Sequence, residues 1–339
     1  TNASGDAALG NGGYGVRIIG ASNNTVGGLI AGYRNIISGN GRGLSIETIT
    51  ATGNAVQGNY IGLNLAGTAA LANNGSGIEL EGVGNTIGGA ATGAGNVISG
   101  NKFNGVIVTG VTSTGNKVQG NLIGTDATGT SALGNSGEGV RVIDASKTLV
   151  GGTVAGARNI ISGNNRGVTF EGASTGNLVQ GNYIGTDITG SNALGNSQEG
   201  VVLLSCSGNL IGGTVKGSRN VISGNTNDGV RISGPNATMN LVQGNFIGTK
   251  ADGVTLLPNQ GAGIDVFGGF NNTFGGTVAT AGNVIAGNGY SGALIQAGNG
   301  NALLGNSMFS NARLGINLNR HDPFGLIAND QGDPDPGAN

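Results

Sequence analysis

The chain has few charged or aromatic residues and almost no sulfur. Of its 339 residues, 9% are charged and 4% are aromatic, Trp is absent, and Cys206 is the single cysteine. The 15 Lys and Arg against 17 Asp and Glu give a net charge of −2, which argues against a basic nucleic-acid binder. One cysteine excludes an intramolecular disulfide framework, and no apolar run approaches the ~18 residues of a membrane span.

Glycine and asparagine are abundant instead, and they recur at a fixed period. The chain contains 73 Gly and 45 Asn. The motif Gln-Gly-Asn-x-Ile-Gly begins at four places spaced 62, 61 and 63 residues apart, namely Gln57, Gln119, Gln180 and Gln243. A repeat of this length indicates a solenoid, in which each unit buries its apolar face against its neighbours.

Each repeat divides into two coils. A short apolar strand follows a glycine, here called the marker glycine, at Gly15, Gly43, Gly77, Gly105, Gly139, Gly167, Gly200, Gly229, Gly263, Gly292 and Gly315. Alternate coils carry a short insertion of about six residues (short loop) or a longer one of about ten (long loop). Strands bounded by Gly and Asn favour tight corners over helices.

These spacings predict an all-β chain with about ten complete three-strand coils over residues 1–320. At about 4.8 Å per coil, the rod would be ~48 Å long. Inward Val, Ile and Leu should stack along one narrow core, and columns of Asn should form side-chain amide ladders. Outward positions such as Thr169 are expected to be exposed, and Ile123 to be in the core.

The repeat resembles a known family. The run Asn-x-Val-Gln-Gly-Asn-x-Ile-Gly-Thr-Asp-x-Thr-Gly, which opens 116–135 and 177–196, is similar to the long repeats of bacterial right-handed parallel β-helix proteins of the pectate-lyase-like type. The resemblance implies a right-handed coil and an extracellular or cell-surface location. It leaves function open, because this fold carries lyases, hydrolases, epimerases, tailspikes and plain scaffolds.

One set of acidic residues falls on adjacent coils. If the first and third residues after each marker glycine point inward, then Glu47, Glu79 and Glu81 cluster on the outer face. Paired carboxylates can act as acid and base on a sugar, or hold Ca²⁺ against a uronate. The alternative is a solvated face with scattered charges. Polygalacturonase-like enzymes carry a His beside the active site, whereas the single histidine of this chain, His321, follows the last coil.

Residues 321–339 are predicted to be an acidic capping or linker tail. Asp330, Asp333 and Asp335 offer oxygen ligands at loop-like spacing, so they are a candidate Ca²⁺ site, with a solvated tail as the alternative. No other cofactor is implied.

Several polar residues are interpreted as structural. Asp126 and Asp187 should close Asx-type turns, because Lys250 replaces them in a sister repeat and would not suit a ligand column. Cys206 should be a buried thiol. We interpret a column of three short-loop arginines, Arg34, Arg158 and Arg219, as solvated groups, with contact to an anionic polymer as the alternative. Glu138 and Glu199, each just before a marker glycine, are also interpreted as solvated loop groups.

The sequence favours a non-catalytic extracellular structural or adhesin-type module that binds polysaccharide weakly. A lyase needs a cleft walled by long loops and a positive subsite, whereas these insertions are short and nearly free of charge. The alternatives are a polysaccharide lyase or glycoside hydrolase acting through Glu47, Glu79 and Glu81, and a phage tailspike shaft. The first coil has no evident cap, so we expect either further domains in a longer rod or end-to-end self-association.

Overall fold

Three parallel sheets wind around one core in the computed structural model, which describes residues 1–318. Within this range there are one sheet of 11 strands (sheet A) and two of 10 strands (sheets B and C). Each strand pairs in parallel with the equivalent strand of the next coil. Two 3₁₀ helices, Ala31–Tyr33 and Ala155–Ala157, are the only helices in the described part. The predicted all-β solenoid of about ten coils is confirmed.

Sheet A follows the marker glycines. Its strands are Tyr14–Ile19, Arg42–Glu47, Ile78–Leu80, Val106–Thr109, Val140–Ile143, Val168–Glu171, Val201–Leu204, Val230–Ser233, Ile264–Phe267, Ala293–Ala297 and Ile316–Asn317.

Sheets B and C follow in each coil. The strands of sheet B are Thr25–Gly27, Ala55–Gln57, Thr86–Gly88, Lys117–Gln119, Leu149–Gly151, Leu178–Gln180, Leu210–Gly212, Leu241–Gln243, Thr273–Gly275 and Ala302–Leu304. Those of sheet C are Ile36–Ile37, Tyr60–Ile61, Val97–Ile98, Leu122–Ile123, Ile160–Ile161, Tyr183–Ile184, Val221–Ile222, Phe246–Ile247, Val284–Ala286 and Ser307–Phe309.

The core lies inside the three sheets because side chains alternate along every strand. In Val140–Ile143, Val140 and Val142 are fully buried, whereas Arg141 and Ile143 are partly exposed. Ile123 is fully buried between Ile98 and Ile161 of the adjacent coils, as predicted.

The prediction for Thr169 was wrong. Its position faces outward, but the side chain is only 1% exposed, and its hydroxyl has no hydrogen-bond partner. Arg141 of the preceding coil pairs in register with Thr169 and reaches Glu171 of the same strand at 2.7 Å. A short side chain beside this ion pair is therefore screened from solvent although it lies on the outer face.

Asparagine ladders form at all three corners, as predicted. At the corner that leads into sheet C, the side-chain oxygen of each Asn accepts hydrogen bonds from the backbone and side-chain nitrogens of the preceding Asn. This ladder is unbroken through Asn35, Asn59, Asn96, Asn121, Asn159, Asn182, Asn220, Asn245, Asn283 and Asn306. Its regularity explains much of the asparagine excess.

The ladder that leads into sheet B is interrupted at one coil. Thr148 stands where Asn116 and Asn177 stand in the neighbouring coils. Its backbone N–H donates to Asn177 Oδ1 at 2.8 Å, but its buried hydroxyl has no partner. Thr148 is therefore a natural break in an otherwise continuous amide column.

The strand Leu149–Gly151 of sheet B ends in glycine for steric reasons. At Gly151, φ is +87°, and an added Cβ would lie 2.0 Å from the backbone oxygen of Gln180 in the next coil. Both the backbone conformation and the close approach of the next coil require glycine here.

The insertions pack on one another outside the sheets. Backbone N–H groups of the long loops bond to the long loop two coils away, from Ala127 to Gly67 at 2.9 Å and from Ile188 to Gly129 at 3.0 Å. In the short loops, Thr280 Oγ1 donates to the backbone oxygen of Thr214 at 2.9 Å. The loops of alternate coils therefore stack on one another along the outside of the rod.

Candidate functional site

Charged residues form two clusters along sheet A, one on its outer face and one that begins at the corner before its strands. The first contains the predicted glutamates. Arg17 Nε and Nη2 donate to Glu47 Oε1 and Oε2 at 2.9 and 2.6 Å, so the ion pair is bidentate. These hydrogen bonds lower the pKa of Glu47 to about 2.

Glu79 lies beside Glu47 and Glu81, as the register predicted. Glu79 pairs with Ser45 across sheet A, and Glu81 N–H donates to the backbone oxygen of Ile46. Burial is the main cause that raises the pKa of Glu79, and the charges of Glu47 and Glu81 add to it. Arg42, 3.4 Å away, opposes the rise. The structure therefore brings the three glutamates together and adds two arginines.

Sequence reasoning missed the second cluster, which is a chain of ion pairs over five coils. Arg166 Nε lies 2.7 Å from Glu199 Oε2, and Arg166 Nη1 lies 3.8 Å from Glu138. Arg231 lies 3.4 Å from Glu199 and 3.8 Å from Asp265. The predicted solvated position of Glu199 was wrong, because only 3% of its side chain is exposed. The sequence contains a pattern that predicts this cluster. The residues just before three consecutive marker glycines alternate in charge, and they are Glu138, Arg166 and Glu199.

Asp228 continues this column and is a buried carboxyl. Desolvation, with a contribution from the charge of Asp265, raises the pKa of Asp228 to about 7. Desolvation also raises the pKa of Asp265, while Gln296 and Arg231 oppose that rise. Asp228 Oδ1 accepts the backbone N–H of Ala262 at 2.8 Å, so the side chain also holds the next coil.

We expect Asp228→Asn to raise the free energy of unfolding near pH 8 by about 2–4 kcal/mol and to change it little near pH 4. The folded-state pKa of about 7 lies above the ordinary 3.8. The native state therefore binds this proton more tightly, and the resulting stability is complete below pH 4 and is lost as pH rises through 7. Asn keeps the acceptor for Ala262 without a charge. Urea unfolding near pH 4, 6 and 8 measures the effect.

Asn104→Asp is the matched reverse substitution, because it places a carboxyl where an amide stands. Asn104 Oδ1 accepts the backbone N–H of Glu138 at 3.0 Å, at the same position of another coil. Asn104→Asp should therefore introduce a loss of stability above neutral pH. If the stability of Asp228→Asn depends on pH in the same way as that of the wild type, the carboxyl of Asp228 does not cause the loss of stability above neutral pH.

The arginines of the short loops are not free solvated groups, which corrects the prediction. The guanidinium of Arg158 lies 4.0 Å from the ring centre of Tyr183, and its Nε donates to the backbone oxygen of Gly181 at 3.1 Å. Arg34 on Tyr60 and Arg219 on Phe246 repeat this arrangement. These stacks hold the short loops against sheet C.

The interpretation of Glu138 as a solvated group was wrong, because its side chain is only 13% exposed and lies 3.8 Å from Arg166. The interpretations of Asp126, Asp187 and Cys206 are confirmed. Asp126 Oδ1 accepts the backbone N–H groups of Thr130 and Ser131, and Asp187 closes the equivalent turn. In the loop of Lys250, Asp252 takes over this role. Cys206 is buried, which raises the pKa of its thiol to about 12.

The candidate Ca²⁺ residues Asp330, Asp333 and Asp335 lie outside the described residues, as does His321. Among residues 1–318, no group of three or more His, Cys, Asp or Glu side chains is placed to hold a metal ion. Within the same range, no helix is long and apolar enough to cross a membrane.

Comparison with known proteins identifies the fold. No protein-family model matches the sequence, and no curated protein matches it. Among solved structures, the periplasmic alginate epimerase AlgG superposes with a TM-score of 0.51 at 14% identity, over 81% of this chain and 60% of the epimerase. The chain is a right-handed parallel β-helix.

Two further solved structures show weaker similarity. The A-module of the Azotobacter vinelandii mannuronan C-5 epimerase AlgE4 gives a TM-score of 0.43 at 16% identity, over 93% of this chain and 84% of that one. PfbA, a surface adhesin of Streptococcus pneumoniae, gives 0.26 at 13% identity, over 82% and 72%. At these identities the similarity concerns the fold, so function has to be argued from the residues of this β-helix.

Proposed function

We propose that this β-helix is a non-catalytic extracellular module of structural or adhesin type that binds polysaccharide on the sheet A side. The observation that carries the proposal is the ordered charged face of sheet A. Its carboxylates and arginines are fixed by ion pairs on successive coils, for example Arg17 with Glu47 and Arg166 with Glu199. Planar groups in such a row suit the hydroxyls of a linear polymer that lies along the rod.

The packing of the rod supports a structural role. Amide ladders connect each coil to the next, and stacked loops connect alternate coils. The binding face would therefore stay rigid and lose little conformational entropy when a ligand binds. AlgG, named above, is an alginate epimerase, so a carbohydrate is the ligand class that we propose for this fold.

The second candidate is a glycoside hydrolase or polysaccharide lyase at Glu47, Glu79 and Glu81. The observation that favours it is the opposite shift of two adjacent carboxyl pKa values, down at Glu47 and up at Glu79. Acid and base pairs show this asymmetry. The bidentate ion pair of Arg17 with Glu47 counts against it, because it stabilises the carboxylate and makes it a weaker base and nucleophile.

A glycan-array screen combined with a reducing-end release assay on the bound polysaccharides separates the two. We expect binding without release by the wild type, and the same result for Glu79→Ala and Glu81→Ala. Circular dichroism and urea midpoints should confirm that both variants fold. Release that disappears in Glu79→Ala would contradict the non-catalytic proposal and establish the enzyme.

We also propose two modes of assembly to be tested, end-to-end self-association and a trimeric tailspike shaft. A parallel coil can pair its edge strands with those of another coil, which is the physical basis for stacking. Sedimentation over a dilution series tests both. A monomer at every concentration would reject stacking, and a stable trimer would favour the tailspike shaft.

A further inference from the structure

One row of residues follows the corner where each coil passes from sheet C into sheet A. Eight consecutive coils contribute the residue two positions before the marker glycine. Each backbone N–H donates to the carbonyl oxygen of the preceding member at 2.8 to 3.2 Å, so the row is continuous. Its members, here called the corner row, are Phe103, Gly137, Asn165, Gln198, Asn227, Gly261, Tyr290 and Arg313.

From Phe103 to Tyr290 the order of residue types is symmetrical, with an aromatic residue and a glycine at each end of this stretch and three side-chain amides between them. Arg313 of the next coil follows Tyr290 and is the last member of the row. Six coil steps separate Phe103 from Tyr290, or about 29 Å at ~4.8 Å per coil. Phe103 is 60% exposed, and Tyr290 is half-buried with Arg313 4.4 Å from its ring centre. The two rings can therefore bracket an extended ligand of several units.

Both glycines are required by the coil before them. A Cβ on Gly137 would lie 2.5 Å from Asn104 Oδ1, and one on Gly261 would lie 2.4 Å from Asp228 Oδ1. Those oxygens hold the backbone N–H groups of the next coil, as described above. The coil next to each aromatic residue consequently carries no side chain at this position, which leaves space beside each ring.

The three amides are fixed but not saturated. Gln198 Nε2 donates to Asn165 Oδ1 at 2.9 Å, and Gln198 Oε1 accepts from Arg166 at 2.8 Å. Asn227 Nδ2 donates to Glu199 at 3.1 Å. All three are half-buried, and an amide has two N–H groups and two lone pairs, so each retains capacity to bond a ligand. Pre-oriented planar amides suit hydroxyl groups.

The surrounding charge disfavours an acidic ligand. In the middle of the row, Arg141, Arg166 and Arg231 each already pair with a carboxylate, namely Glu171 for the first and Glu199 for the other two. Lys102, next to Phe103, is an exposed cation at one end of the row, and Arg313 stands at the other end. A polymer carboxylate over the middle of the row would therefore meet no unpaired arginine among these three.

We propose that the corner row binds a neutral, extended oligosaccharide. Phe103 and Tyr290 pack against the apolar faces of two sugar rings, and Asn165, Gln198 and Asn227 bond the hydroxyls of the sugars between them. This inference rests on the proposed polysaccharide-binding function and specifies its site and ligand class.

Isothermal titration calorimetry with cellohexaose, xylohexaose, mannohexaose, cellobiose and hexamannuronate tests the inference. We expect at least one neutral hexasaccharide to bind, with cellobiose and hexamannuronate binding at least about tenfold more weakly. Phe103→Ala should weaken hexasaccharide binding by about tenfold or more, as the loss of an aromatic anchor does. Tyr33→Ala is the matched control, because Tyr33 is 64% exposed on a short loop away from the row, and it should change affinity less than about twofold.

The possible failures are distinguishable. Tighter binding of hexamannuronate, or no binding of any neutral hexasaccharide, would overturn the ligand class. Hexasaccharide binding that survives both Phe103→Ala and Tyr290→Ala would overturn the site and leave the proposed function intact. Absence of binding to every glycan on the array would contradict the proposed function itself. Phe103 is exposed, so Phe103→Ala should fold even if Tyr290→Ala does not.

Discussion

Asn182→Ala is expected to lower the free energy of unfolding by about 3–5 kcal/mol, because it leaves several buried polar groups unpaired. Asn182 Oδ1 accepts from the backbone and side-chain nitrogens of Asn159. Its Nδ2 donates to the backbone oxygens of Val150 and Gln180 and to Asn220 Oδ1. The site is fully buried, so water does not replace these bonds. Urea-induced unfolding measures the loss.

Two controls accompany this prediction. Asn74 is exposed and outside the ladders, so Asn74→Ala should stay within about 0.5 kcal/mol of wild type. Thr148→Asn restores the missing amide between Asn116 and Asn177 and should stabilise the protein by about 1 kcal/mol. Equal urea midpoints for Asn182→Ala and Asn74→Ala would show that the ladders contribute little.

Ile123→Ala should cost about 2–5 kcal/mol. Ile123 is fully buried and stacks between Ile98 and Ile161 of the coils on either side. Because backbone hydrogen bonds fix the spacing of the coils, the neighbours cannot move in to fill the cavity. Urea midpoints and slopes give the change in stability.

The matched control for the core is Val111→Ala. Val111 is 75% exposed, so its truncation should stay within about 0.5 kcal/mol. Thr169 is unsuitable as an outward control, since it is buried beside the Arg141–Glu171 pair. Similar midpoints for the Ile123 and Val111 variants would contradict the assignment of the core column.

The candidate site was predictable only in part. The proximity of Glu47, Glu79 and Glu81 follows from the coil period, because residues one period apart lie side by side in a parallel sheet. The partner of Glu47 did not follow, since Arg17 reaches diagonally from the second residue of one strand to the fourth of the next. Arg166 and Glu199 were missed because they precede the strand, where the inside-outside alternation no longer tells where a side chain points.

The sequence by itself determined the coil count, the three strands per coil, the inward columns and the asparagine ladders. These features depend on a translation that repeats along the rod, so the period alone specifies which residues are neighbours. Only the tertiary structure decided the burial of Thr169, the stacking of Arg158 on Tyr183, the pKa of Asp228 and the continuity of the corner row. Each of these depends on the conformations of long side chains at the corners or on the packing of loops two coils apart. The period of the sequence does not specify those conformations or distances.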